Sequence, residues 1–169
     1  MLNFERADTK ALSGDFFTKL NKEWMLVTAG KENAFNTMTA SWGGIGVLWN
    51  KNVCFVFIRK SRYTLEFIDE NERFSLSFFN GEMMKELLFC GRNSGRDVDK
   101  IKETGLSPVF DDDVTYFEQA AVVLKCRKLY KQTMTAESFI DKSVIDKCYS
   151  DNDWHEVFVA EIEEVLVRK

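Results

Sequence analysis

Residues 35 to 64, FNTMTASWGGIGVLWNKNVCFVFIRKSRYT, limit what this chain can become more than any other stretch. Thr37, Thr39 and Ser41 fall on one parity and Met38, Ala40 and Trp42 on the other, the two-residue period of a strand with unlike faces. The pattern breaks at Gly43, Gly44 and Gly46. From Val53 to Ile58 the chain is apolar throughout, which predicts a strand buried on both sides or set in a barrel wall. That strand delivers Arg59, Lys60, Ser61, Arg62 and Thr64 to a helix read from TLEFIDEN, with Ser61 as the expected N-cap. Cations placed there meet the free N–H groups and positive dipole end of a helix start, so the segment is a candidate phosphate site. The same residues also fit a plain solvated loop, and an N-cap needs no ligand.

A second stretch, GRNSGRDVDKIKETG at 91 to 105, has the same character. Ser94 and Asp97 have the spacing of a capping box, a helix is expected to run to Thr104, and Gly105 supplies a left-handed stop. Arg92, Ser94, Arg96 and Lys100 surround this second start, and two such starts can close on one phosphate. The plainer alternative is an ordinary capped helix with surface cations. Likewise, the hydroxyls of the 37–42 strand either meet a polar ligand or face water on an antiparallel sheet.

A chain of 169 residues is long enough for one well-buried domain and short for two, so residues 1–169 are expected to form a single domain. An aromatic share of 14%, including 15 Phe, favours sheet over helical bundle. A net charge of −4 lacks the extended basic surface of a general nucleic-acid binder, so any anion site is local. Cys54, Cys90, Cys126 and Cys148 never form a CxxC pair and are expected as free thiols in a reducing compartment. The start MLNFERADTK carries charge where a secretory signal needs an apolar run. With no stretch approaching the ~20 apolar residues of a membrane span, a cytoplasmic protein without a membrane segment is expected.

In chain order, the pattern predicts a short helix at 13–21 capped by Ser13 or Gly14, a strand at 23–29, a turn at 30–34 and the strand at 37–42. A helix at 63–72, a strand at 73–80 and a helix at 82–90 follow, and the acidic run 111–113 reads as a solvated loop. A strand at 119–130, an amphipathic helix or irregular excursion at 135–148 and a long strand at 155–168 complete the chain. About six strands with short inserted helices and no βαβ alternation predict a mainly β protein, an antiparallel closed or split barrel. Neither phosphate-cradling glycine loop is present, and one histidine with scattered cysteines makes no regular metal set. An anion pocket, a hydroxyl-rich strand and aromatic surface together suit phosphate, polyol and planar heterocycle, the parts of flavin mononucleotide (FMN).

NTMTASW at 36–42, RKSRYTLEFI at 59–68, CGRNSGRDVDK at 90–100 and WHEVFVAEIEEVLV at 154–167 resemble the flavin reductase-like family, and especially its flavoredoxin branch. The segments occur in the family's order, and the likeness covers most of the chain from Trp24 onward. It implies an FMN-binding split barrel of antiparallel Greek-key type, and a cofactor site comprising Asn36, Thr37, Met38, Thr39, Ala40, Ser41, Trp42, Arg59, Ser61, Arg62, Tyr63, Thr64, Arg92, Ser94, Gly95, Arg96 and Lys100. In that resemblance the 37–42 strand lies along the ring and ribityl chain, Arg59, Ser61, Arg62 and Thr64 bind the phosphate, and the 94–100 loop closes over it. His155 is then the catalytic candidate, near the flavin, to orient a nicotinamide or assist protonation. The residues themselves leave open a satisfied histidine at a strand start. The resemblance further implies NAD(P)H as possible substrate, or a redox partner protein in a flavoredoxin, and a homodimer with Trp42, Trp49 and Trp154 as candidate contacts.

Overall fold

The computed structural model describes residues 3–12 and 14–169. Its strands are β1 (Phe4–Ala7), β2 (Met25–Lys31), β3 (Ala34–Ala40), β4 (Gly43–Leu48), β5 (Lys51–Arg59), β6 (Arg73–Phe78), β7 (Pro108–Asp111), β8 (Val114–Phe117), β9 (Val122–Thr133) and β10 (His155–Arg168). Between them lie α1 (Phe16–Thr18), α2 (Thr64–Glu70), α3 (Met84–Arg92), α4 (Lys100–Thr104) and α5 (Ser143–Cys148). Among the described residues no helix is long and apolar enough to cross a membrane.

The main sheet runs β3-β2-β6-β9-β10-β5-β4, with β1 added to β10, and every pairing in it is antiparallel. Its two ends, β3 and β4, are consecutive in the chain, joined through Ser41 and Trp42 alone. Laid flat, the six steps of that order would separate the end strands by roughly 29 Å at about 4.8 Å per step. The three peptide steps from Ala40 to Gly43 reach at most roughly 11 Å. The sheet must therefore curl until its ends nearly meet. Because β3 and β4 do not pair with each other, the barrel stays split along that seam.

Curling places one face of each strand inside. Met25, Val27, Met38, Cys54, Val56, Phe74, Leu76, Cys126, Phe158 and Ala160 fill the interior. The outer face of β2 and β6 is covered by α3 and the β7–β8 hairpin, through Leu26, Phe79, Leu87, Cys90, Tyr116 and Phe117. β2 is thus buried on both faces from Met25 to Gly30, with Thr28 the one polar side chain among them. Cys54, Cys90 and Cys126 are buried free thiols and Cys148 is half-buried.

Several sequence expectations shift. Ser13 lies outside the described residues, and Gly14 does not cap α1. Asp15 does, accepting from Phe17 N at 3.0 Å and Thr18 N at 3.2 Å. The helix then widens into a π turn over Lys19–Glu23, which delays the first long strand to Met25. The 119–130 strand starts later and runs to Thr133, and residues 135–148 form a 3-10 turn at Ala136–Ser138 and α5. The glycine-rich 43–48 segment, read as a break, is β4. It pairs with β5 so that Gly44 sits opposite Phe55, and a Cβ at Gly44 or Gly46 would meet the Phe55 ring at an ordinary contact distance of 3.9 or 3.6 Å.

Gly30 sets the β2–β3 hairpin. Its φ of +104° is one that side chains avoid, and a Cβ there would come within 2.3 Å of the Ala34 carbonyl oxygen. Gly30→Ala is expected to cost about 2 to 4 kcal/mol, from strain and overpacking together. A urea midpoint equal to that of the unsubstituted protein would show that the hairpin relaxes freely.

Candidate functional site

The seam exposes one edge of β3, and the pairing fixes which groups lie on it. Thr28 and Thr37 face each other across β2 and β3, their hydroxyl oxygens 2.8 Å apart, as expected for a pair of residues not bonded through the backbone. The Thr37 carbonyl points away from β2, accepting from Lys100 Nζ at 2.7 Å. By the alternation of an antiparallel ladder, Thr39 then also turns its N–H and C=O to the open edge. Two cavities follow this edge. One of about 480 Å³ is lined by Asn36, Thr37, Gly95, Arg96, Lys100 and neighbours. The other, about 160 Å³, is lined by Met38 to Trp42, Phe57, Arg59, Arg62 and His155.

The hydroxyl parity therefore has a different meaning from the expected one. Thr37 is buried and spends its hydroxyl on Thr28, while Thr39 Oγ1 donates to the Leu87 carbonyl of α3. The backbone of this strand, more than its side chains, is what remains for a ligand.

The two basic segments do converge. Arg62 Nη1 donates to the Gly91 carbonyl at 2.6 Å, and Asn36 Nδ2 donates to Thr64 Oγ1 at 2.8 Å. The Arg96 guanidinium lies 4.3 Å over the Tyr63 ring and pairs with Glu66. Gly95 is pressed against Asn36, whose Oδ1 would lie 2.2 Å from any added Cβ. Lys100 is buried and bonds both Thr37 O and Cys90 O at 2.7 and 2.8 Å, tying the β3 edge to the end of α3. Burial lowers its pKa from the ordinary lysine value. Arg92 lies at the end of α3 beside Thr39 and Ser41, lining a small cavity with Trp24.

Both expected caps are corrected. Ser61 does not cap α2, whose N-cap position is Tyr63 without a side-chain bond. Its N–H and hydroxyl instead donate to the two Asp153 carboxylate oxygens, at 3.0 and 2.6 Å. Ser94 does not cap α4 either: Asp99 accepts from Ile101 N and Lys102 N, and the helix begins at Lys100. Ser94 Oγ accepts from Arg96 N, within a turn that ends before the helix. Thus a carboxylate meets the start of α4, and another meets Ser61 just ahead of α2. Arg59 is similarly engaged, with Nη2 on Cys148 O at 2.8 Å and Nη1 on Asp153 O at 3.0 Å and near Asp151.

Sequence reading missed Asp151, Asp153, Tyr149 and Phe57. The signal was available in strand pairing: β10 pairs with β5 so that His155 lies opposite Arg59. Residues just before His155 must then run alongside those just after Arg59, which places Asp153 beside Ser61.

His155 is 5% exposed, and its Nδ1 lies 2.8 Å from the Tyr149 hydroxyl. The half-exposed Trp42 indole sits 5.2 Å from its ring and Phe57 meets it edge-on at 6.5 Å. Burial, with Arg59 and Arg62 nearby and only Asp153 opposing, lowers its pKa to about 4. The imidazole is neutral at physiological pH and serves as a hydrogen-bonding group there.

An antiparallel barrel split beside a strand edge, with short helices inserted, matches the fold of flavin reductase-like split-barrel proteins. The chain belongs to the flavin reductase like domain family, whose sequence profile matches residues 17–169. Among solved structures it is similar to flavoredoxin from Methanosarcina acetivorans, at 26% identity and TM-score 0.64, over 85% of this chain and 67% of that one. It is also similar to an FMN-binding domain of a flavin reductases-like enzyme from Shewanella baltica, at 16% identity and TM-score 0.70, over 98% and 77% of the two chains. The styrene monooxygenase flavin reductase from Pseudomonas putida aligns at 12% identity and TM-score 0.61, over 85% and 77%. Comparison with curated protein sequences gives no match.

Since the His155 pKa is depressed in the folded state, the unfolded chain takes up the extra proton first as pH falls. Stability contributed by the neutral ring is present above about pH 6.5 and is lost toward about pH 4, by up to about 3 kcal/mol. His155→Gln is expected to flatten the stability slope between pH 6.5 and 5 in urea titrations. An unchanged slope would mean that the ring is protonated with little penalty.

Proposed function

We propose that this chain is an FMN-binding flavoprotein, a single domain across residues 1–169, and an NAD(P)H-dependent flavin reductase. The reading rests on the open β3 edge at the barrel seam, where Thr39 offers backbone groups beside Arg59, Arg62, Trp42 and His155. Family membership supports it. Bound FMN would supply a ring that accepts hydride at N5 from a reduced nicotinamide.

The chain's own contributions are binding, orientation and electrostatics. Amide donors from Thr39 to Trp42 would meet the ring's polar edge, where negative charge grows on reduction. Trp42 and Phe57 supply flat apolar surface, and neutral His155 adds a donor without a competing charge. For the phosphate, Arg59, Ser61, Arg62, Tyr63 and Thr64 stand on one side, with Arg92, Ser94, Gly95, Arg96 and Lys100 on the facing segment. The bonds Ser61 makes to the Asp153 carboxylate are those a phosphoryl group would accept, so Asp153 stands in for that anion. A homodimer is part of this reading: Trp42 and Trp49 are 47% and 56% exposed, whereas Trp154 is stacked on Tyr149 at 4.8 Å and offers less surface. The cytoplasm is the compartment that fits, with no role for nucleic acid or membrane.

Similarity to a flavoredoxin favours a second reading, an electron-transfer protein that holds FMN tightly and is reduced by a redox partner protein. Anaerobic addition of NADH and then NADPH to the FMN-loaded protein separates the two. Rapid bleaching is expected for the reductase, and persistent colour would overturn it in favour of the carrier.

Asp153→Asn removes the resident negative charge and keeps the side chain's size. FMN binding is expected to tighten by about 1 kcal/mol, near fivefold, in a fluorescence titration. Weaker binding in that variant would place the phosphate away from Ser61.

A further inference from the structure

Tyr149 follows α5 and is held from several sides. Its ring stacks on Trp154 at 4.8 Å and 13°, meets Phe139 at 5.5 Å, and carries the Arg59 guanidinium 5.5 Å over its face. It is 4% exposed. Its hydroxyl has two neighbours, His155 Nδ1 at 2.8 Å and Met134 Sδ at 3.4 Å. A thioether only accepts, so the phenol proton goes to the sulfur or to an unprotonated Nδ1, and nitrogen is much the stronger acceptor. A proton on Nδ1 would instead leave the phenol proton to the sulfur. The stronger of the two phenol bonds goes with an imidazole protonated on Nε2.

Nε2 has no protein partner among the described residues. It is not sealed in the interior either, since Ser77 Oγ is the sole buried unpartnered side-chain nitrogen or oxygen among them. His155 lines the smaller seam cavity, so that N–H is left facing a ligand space.

We propose that Tyr149 is a positioning residue: by donating to Nδ1 it fixes His155 as a neutral ring whose Nε2–H serves the seam cavity as a donor to a carbonyl oxygen of the ligand. The placing of that carbonyl on a flavin or nicotinamide rests on the function proposed above; the tautomer does not. His155 then orients its ligand and takes no part in proton transfer. The low basicity imposed by burial and by Arg59 and Arg62, against Asp153, agrees with that division.

The chain has one histidine, so protein labelled with ¹⁵N-histidine gives a single pair of ring nitrogen signals. At neutral pH the proposal expects a protonated Nε2 and an unprotonated, hydrogen-bonded Nδ1. In Tyr149→Phe the Nδ1 signal should move to that of a free ring nitrogen and the two tautomers should mix. Bleaching by reduced nicotinamide should slow about tenfold, with FMN affinity within about twofold. Added to His155→Ala, Tyr149→Phe should slow bleaching no further. A proton on Nδ1 in the unsubstituted protein, ring signals unmoved in Tyr149→Phe, or equal slowing in the His155→Ala background would each overturn the proposal. Should Tyr149→Phe fail to fold, the spectrum of the unsubstituted protein decides. A protein that never takes up FMN, or keeps its colour with both nicotinamides, refutes the flavin or the reductase reading and leaves the nitrogen spectrum to judge the tautomer.

Discussion

The short link through Ser41 and Trp42 is the constraint from which the rest of the molecule follows. A chain that places consecutive strands at opposite ends of one sheet has no flat solution, so the sheet curls and its interior becomes the apolar core. Because the two end strands come together without hydrogen-bonding, closure leaves a line of unpaired backbone groups. An unpaired edge is a liability in most sheets. Here α3, the 91–100 segment and the residues before β10 all crowd around it, and the cavities between them are the space left over.

Around that edge, polar groups are satisfied by opposite partners at every turn. Asp153 answers Ser61, Asp99 answers the start of α4, Glu66 answers Arg96, and the Thr37 and Cys90 carbonyls answer Lys100. In a chain of net charge −4, carboxylates are the natural occupants of cationic niches when nothing else fills them. Any outside anion would have to compete there with the protein's own carboxylates.

Much of the fold was legible because it rests on periodicity. The apolar run of β5, the two-residue alternation of β3 and the long β10 each carry their strand in the local pattern, and the antiparallel split barrel follows from their order and short connections. β4 was not legible, since its glycines read as punctuation and only its pairing with β5 makes it a strand. The meeting of the 59–64 and 91–100 segments was legible as a concentration of Arg, Lys and Ser in two places. Their caps were not, because Ser61 finds its partner 92 residues away in Asp153, and no local spacing encodes that. Thr37 and Thr39 were correctly singled out as a pattern, yet their hydroxyls turned to Thr28 and Leu87, a choice made by pairing partners outside the strand.

Lys100 gives the two walls of the seam unequal freedom. Swinging the 91–100 segment outward would strip a buried ammonium of both its carbonyl partners and leave those carbonyls bare as well. The opposite wall is fastened partly by Asp151, which is well exposed and whose contact with Arg59 water can replace at little cost. Outward movement thus costs most at Lys100, while on the facing wall the exposed Asp151 contact is the one easily given up and the Ser61–Asp153 bonds remain.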